Sequence, residues 1–481
     1  MQQKEVKMSK IYKLFIDENI KTWKKFSTKV MIILTILALV GSLALTKWME
    51  FEEKKSVSTN DINWREYAES EIEINKIILE DENLSQEERE EYQTEIKRYE
   101  LCLKYDINMY DTSWKYEALN KALVGTEINE KVTDVLEKDD FQGYIQLQKE
   151  WEKEALDKNE ISQQKYDDDM LILDLYSEYE IGKLPNDIDD GVWKEKMCND
   201  IELAQLSLRN GIDINTNKVL SLEKKQQYED EIKMAIYRIE NNIPSSDAGY
   251  TDGDYRMMFE NLAPSFVTVV IAIFAIIIAG TSIAKEVSTG TIKFWALTPN
   301  KRWKILTAKI LSVLFYIITI ALIMSLLTVA FSNLFFQGQR GNQYIYVKDG
   351  NVEIIRNTLF MIEYYLVNTI PVMIFSVFAL MLSVITRNSE FALGISIAIY
   401  MVNSIAMQVL NAFVKKDWFR YIPFNNLNIA DKIFPNFEKL FITWETTTIS
   451  TSLGFSLVVL AVCTILMLVT AYDSFNNRDI I

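Results

Sequence analysis

The chain is 481 residues long, with 49% hydrophobic residues, 25% charged residues and a formal net charge of −16, a mean composition close to that of a soluble protein. It has no histidine and three cysteines, which excludes Cys/His zinc clusters, histidine-based triads and histidine proton shuttles. The acidic balance argues against a nucleic-acid partner, and the apolar residues are gathered into long uncharged runs that the mean conceals.

In chain order, the first segment is basic, carrying Lys4, Lys7, Lys10, Lys13, Lys21, Lys24, Lys25 and Lys29, and residues 1–29 read as a cytoplasmic interfacial helix. The first apolar run, 30–47, is short against the ~20 residues a span needs. Lys29 and Lys47 flank it, and their stems can lie along apolar surface with the ammonium groups among lipid headgroups. A cleaved signal peptide fits less well, because the basic lead is long and no small-x-small site follows.

Residues 48–258 form an insert with about 52 acidic and about 26 basic side chains, so the rest of the chain is net basic. Three stretches within it look alike, each opening on an apolar residue and a serine (Ser85, Ser162, Ser221) and closing near an isoleucine (Ile107, Ile181, Ile243). The serines suit helix N-caps, and Glu88 completes a capping box with Ser85. Another helical stretch precedes each, which predicts three helical hairpins in a mainly helical extracytoplasmic domain. The likeness follows from shared capping physics; the alternative is a platform that concentrates cationic molecules. No residue pattern picks out a pocket. Cys102 and Cys198 both fall here, without a spacing that supports a bridge.

Further spans are predicted at 259–284, 304–336, 357–386 (with a kink at Pro371), 390–413 and 447–473. The fold class is therefore an all-α polytopic membrane protein with six transmembrane helices. Between spans three and four, 337–356 contains QYIYVKDGNVEII, which alternates around Asp-Gly and predicts a β-hairpin. Between spans five and six, the aromatic segment 414–446, with Lys415, Lys416, Trp418 and Arg420, suits short helices in the outer interface. Lys285, Lys293, Lys301, Arg302 and Lys304 after span two, and Arg478 in the tail 474–481, put both termini in the cytoplasm; the basic residues of 414–446 run against that rule.

The strip AKEVSTGTIKFWALTPNKRW, within 285–303 apart from its first residue, joins spans two and three. A short helix beginning near Ser288 or Thr289 and ending before Pro299 would set Ile292 and Trp295 on one side, to seat in a partner's groove or to dip into the interface.

Glu286, Gly290, Thr291, Ile292 and Pro299, followed by Arg302-Trp303-Lys304, resemble the cytoplasmic loop of ABC-2-type transporter permeases. ENIKTWKKFSTKVMIILTILALV near the start and AYDSFNNRDI at the end are similar to that family as well. The resemblance implies that two six-span copies, identical or different, pair in the plasma membrane. Each would rest on a separate ABC ATPase subunit that binds ATP and Mg. It further implies that the strip couples to that ATPase through Glu286, Thr289, Gly290, Thr291, Ile292, Trp295, Pro299 and Arg302, and that Lys415, Lys416, Trp418 and Arg420 lie near the exit and meet membrane lipid. The chain has no G-x-x-x-x-G-K-[ST] phosphate loop, so it is expected to bind no cofactor itself and to be no enzyme. The expected function is export or extraction of amphiphilic compounds such as antimicrobial peptides, drugs or lipids. The alternatives are a mechanotransmitting subunit that drives its outer domain, and a non-transporting immunity or sensor protein.

Overall fold

The computed structural model describes residues 2–57, 63–81, 84–108, 114–124, 127–184, 192–214, 216–244, 255–293, 300–339, 341, 343–413, 417–434 and 451–477. The chain divides into two units. One comprises 1–50, 254–344 and 354–481, and the other, the insert unit, comprises 51–253 and 345–353.

Helix α1 (Gln2–Lys24) and helix α2 (Phe26–Val57) follow one another with a break at Lys25. The apolar part of α2, Phe26–Glu52, is long enough to cross a membrane, so the first span is longer than the uncharged run. Its polar edge carries Lys47, which pairs with Glu50 at 2.7 Å and lies 4.1 Å from the centre of the Phe336 ring.

The insert unit is built from helical hairpins. Helices α3 (Trp64–Ile78) and α4 (Gln86–Tyr105) pair first. After α5 (Trp114–Ala122), the ribbon of β1 (Leu123–Val124) and β2 (Glu127–Ile128), and α6 (Glu130–Glu137), a second pair forms from α7 (Phe141–Asp157) and α8 (Gln163–Glu178). The third is α9 (Val192–Asn210) with α10 (Leu222–Glu240), joined by β3 (Ile212–Asp213) and β4 (Lys218–Val219).

The three look-alike stretches share one pair of terminal devices. Ser85, Ser162 and Ser221 each accept a hydrogen bond from the backbone N–H three residues on, at 3.2, 3.2 and 3.1 Å. At the other end Asp106, Glu180 and Asn242 take left-handed φ values of 55°, 49° and 52°. The next residue, Ile107, Ile181 or Ile243, then donates its N–H back five residues, to Cys102, Tyr176 or Arg238. That is a Schellman closure. The Ile107 and Ile181 side chains become core residues at 2% exposure each. Cys102 and Cys198 are both free and belong to different hydrophobic clusters, so they do not pair.

In the other unit α11 (Tyr255–Thr281) runs into the single turn α12 (Ala284–Ser288), and α13 (Arg302–Phe335) follows. Strands β5 (Tyr344–Lys348) and β6 (Asn351–Ile355), of which 345–353 belong to the insert unit, make the hairpin expected from Asp-Gly. Asp349 at φ 51° and Gly350 at φ 82° give the doubly left-handed turn that matches strand twist. Helices α14 (Asn357–Thr386) and α15 (Ser389–Phe413) come next. Two 3-10 turns (Asp417–Tyr421 and Pro423–Asn426), α16 (Ile429–Ile433) and α17 (Leu453–Asn477) complete the described chain.

Among the described residues five helices are long and apolar enough to cross a membrane: Phe26–Glu52, Tyr255–Ser288, Arg302–Phe335, Asn357–Thr386 and Leu453–Asn477. The span expected at 390–413 coincides with α15, of which Ser389–Asn403 is apolar but shorter than the others. α14 is central and packs on α11, α13, α15 and α17. The packed interior is rich in small and hydroxyl residues, among them Ala272, Ala275, Ala279, Ser325, Ser332 and Ser383. Large apolar side chains such as Val458, Val462, Ile465 and Val469 stand exposed on α17. Small residues inside and bulky ones outside is the distribution expected where lipid replaces water. Gly280 on α11 shows why: a Cβ there would lie 2.9 Å from Cδ2 of Leu393 on α15. Interhelical polar contacts such as Thr328 Oγ1 with Tyr365 Oη at 2.8 Å add roughly 0.6 kcal/mol each.

Candidate functional site

α1 lies along the start of α13. Leu14 packs with Ile305 and Ala308, the Phe15 and Phe315 rings meet edge to face at 5.7 Å, and Trp23 lies 5.6 Å from the Tyr316 ring. Leu14, Glu18 and Lys21 recur at helical spacing on α1, as Ile305, Lys309 and Ser312 do on α13, so the packed faces bring Glu18 to Lys309. The Lys309 ammonium donates to Glu18 Oε2 at 3.1 Å and to Glu286 Oε1 at 2.8 Å, with 2% of its side chain exposed.

Glu286 comes from the strip. It sits in α12 with 8% exposure and also accepts a hydrogen bond from Lys21. Lys21 lies 3.7 Å from Glu18 as well, which closes a ring of two acids and two bases drawn from three separate segments. Burial acts to lower the Lys21 pKa, but its hydrogen bond to Glu286 and the fields of Glu18 and Glu286 outweigh it and hold the ammonium above the usual lysine value. α12 is fixed to α14 too, because Ser383 Oγ accepts the Ala284 N–H at 3.0 Å.

The turn α12 ends at Ser288, where the helix was expected to begin; helical residues resume at Ile292 and Lys293, and 294–299 lie outside the described residues. Thr289 is the C-cap, its hydroxyl donates back to the Lys285 carbonyl at 2.8 Å, and Gly290 turns the chain at φ 70°. The Thr291 hydroxyl lies 2.9 Å from that of Thr289. Thr289 and Thr291 are exposed, Gly290 is half-buried, and Ile292 is buried at 6%. Of the remaining coupling residues, Trp295 and Pro299 lie outside the described residues, and Arg302 opens α13, where it donates to the Asn476 carbonyl at the end of α17 at 3.3 Å. Among those named from the sequence, Glu286 is therefore the one held inside by an ionic ring, and Thr289, Gly290 and Thr291 form the accessible turn beside it.

Of the segment between α15 and α17, Lys415 and Lys416 lie outside the described residues. Trp418 is 56% exposed and stacks edge to face on Phe419, while the Arg420 guanidinium lies over the Tyr421 and Phe455 rings at 5.2 and 5.9 Å. Asn426 holds the segment together: its amide donates to the Arg420 and Ile422 carbonyls at 2.8 and 2.9 Å, and its oxygen accepts from Ser456 at 2.7 Å. Lys432 donates to Thr451 at 2.5 Å and to Ser456, and burial holds its pKa below the usual lysine value.

A second buried ionic node was not marked by the sequence reading. Glu260, with no exposed surface, accepts from Arg256 at 3.1 Å, Ser332 at 2.5 Å and Asn357 at 2.6 Å, and Arg256 donates on to Asn333 at 2.8 Å. Its signal was one carboxylate just before the uncharged run at Asn261. Lys309 gave a parallel signal, one ammonium at the edge of the run that begins at Ile310.

Comparison with known proteins places the chain in a family. A family model described as "Protein of unknown function (DUF2705)" matches residues 234–481, more than half of the chain. The chain belongs to the DUF2705 family. A relative described as "Uncharacterized protein YhcI", from Bacillus subtilis (strain 168), is 33% identical over 263 residues, covering 53% of this chain and 77% of its own length. No solved structure matches. The region shared with the DUF2705 model contains Glu286, Lys309 and the Glu260 node, while Glu18 and Lys21 precede it.

Proposed function

We propose that this DUF2705 member is the membrane-spanning permease subunit of an ATP-driven ABC transporter that exports or extracts amphiphilic compounds. In this reading α15 is the fifth of six spans, both termini are cytoplasmic, two copies pair, and ATP and Mg bind a separate ATPase subunit. The observation that carries the reading is the ionic ring. It ties the strip between the second and third spans, through Glu286, both to α1 and to the third span. A partner that pushes on the exposed Thr289–Thr291 turn then moves α1 and α13 as one body, because a buried ion pair resists separation at a cost of about 3–5 kcal/mol. A strip with that attachment transmits force, whereas a solvated connector would absorb it.

The test is affinity purification of the full-length chain from its native membrane in mild detergent, followed by mass spectrometry. Recovery of an ABC ATPase subunit in a fixed ratio supports the reading, and a preparation without one overturns it.

A further inference from the structure

The insert unit contains a cavity of about 300 Å³ among α5, α7, α8 and α9. Its floor is aromatic and buried. Trp114 and Phe141 are each 4% exposed and Tyr144 not at all, with the Trp114 ring 5.5 Å from Tyr144 and 5.9 Å from Phe141. Its lining also carries the carboxylates of Glu117, Glu195 and Glu202 and, among the described residues, the ammonium of Lys121, which pairs with Glu117 at 2.6 Å. Tyr144 lines the cavity, and its fully buried hydroxyl makes no hydrogen bond of ordinary geometry among the described residues, the Gln148 side chain of the same lining being near enough to interact with it. Buried hydroxyls are ordinarily paired, so one that faces a cavity marks a place for a ligand's polar atom.

The chemistry selects the occupant. Three carboxylates disfavour an anion, while an aromatic floor offers no oxygen shell to a bare metal ion and favours an organic cation. We propose that this cavity binds a small organic ammonium ion, with its apolar body on the Trp114, Phe141 and Tyr144 rings. Its ammonium group sits at Glu202, and a second polar group meets the Tyr144 hydroxyl. The site lies wholly within the insert unit, and its occupancy does not depend on the transport reading.

The experiment is calorimetric titration of the full-length protein in detergent with tyramine, which carries an ammonium, a ring and a hydroxyl. Two companions are titrated beside it: 4-(2-hydroxyethyl)phenol, which lacks the charge, and 2-phenylethylamine, which lacks the phenol hydroxyl. Saturable binding of tyramine is expected, with the uncharged phenol about tenfold weaker or worse. Glu202→Gln, at an exposed position where folding is safe, should weaken tyramine roughly fivefold or more. Tyr144→Phe should erase the preference for tyramine over 2-phenylethylamine. The assignment is overturned if tyramine shows no saturable binding, if the uncharged phenol binds equally well, or if tyramine affinity is unchanged in Glu202→Gln.

Discussion

Glu286 and Lys309 are 23 residues apart in the chain, and their charged groups meet at 2.8 Å in a buried position that Glu18 and Lys21 complete. An acid at the end of one apolar helix and a base near the start of the next are thereby locked, so the connector between them has little freedom at its root.

Replacing Lys309 with Met leaves Glu18 and Glu286 facing each other with Lys21 as their partner in the ring. We expect thermal stability in detergent to fall by an amount equivalent to roughly 3–5 kcal/mol. The pair Lys309→Met with Glu286→Gln should recover a large part of it, since removing both charges costs less than orphaning one. Equal melting temperatures for the single variant and wild type would remove the ring from any structural role.

Gly290 should tolerate bulk but resist its backbone angle. Nothing lies within 4 Å of a Cβ placed there, whereas its φ is 70°. Gly290→Asn should therefore melt near wild type and Gly290→Val about 1–2 kcal/mol below it. If Val and Asn behave alike in a melting series, the turn has a different conformation.

The Glu260 node should be as sensitive as the ring. Glu260→Ala leaves the half-buried Arg256 without its carboxylate and the Ser332 and Asn357 donors without their acceptor, and a loss of about 3–5 kcal/mol is expected in thermal unfolding. Ser332→Ala removes one neutral donor to a charged acceptor and should cost about 1.5–3 kcal/mol. A reversed order of the two would contradict the hydrogen bonds described.

Cys102 and Cys198 should label slowly. Burial pushes the first thiol up to about 11 and the second to about 12, the second with help from Glu202 and Glu195. Alkylation needs the thiolate, whose share at pH 8 falls as the pKa rises, so both should react roughly 10²–10³-fold more slowly than an ordinary thiol near 8.5. Mass spectrometry after timed alkylation at pH 8 reads this, and labelling should become fast once the protein is unfolded. Rapid labelling of either in the folded state would contradict its burial.

What the sequence made legible was local. The three capped helices were readable because Ser85, Ser162 and Ser221 meet backbone groups three residues away, and the β-hairpin because Asp349 and Gly350 dictate their own turn. In the strip the start was legible only to within a few residues. Ser288 and Thr289 are residue types that open helices, yet here their hydroxyls both donate back to the Lys285 carbonyl, the left-handed Gly290 closes that turn, and helical residues resume at Ile292. The ring itself was illegible, because Lys21 and Glu286 are 265 residues apart and Glu18 and Lys309 are 291 apart. No periodicity connects such positions, and each charge alone looks like a flank of an apolar run. The cavity at Tyr144 was hidden for the same reason, since its walls come from four helices that pair only in the folded insert.

Two carboxylates and two ammonium groups make the ring neutral as a whole. An unbalanced charge displaced across a membrane would exchange about 2.3 kcal/mol with each 100 mV of potential. A rigid shift of the ring's four groups together along the membrane normal carries no net charge and exchanges none. The four groups alone would be electrically silent in such a shift, and any charge carried would be that of neighbours such as Lys25, which stands in the field of all four.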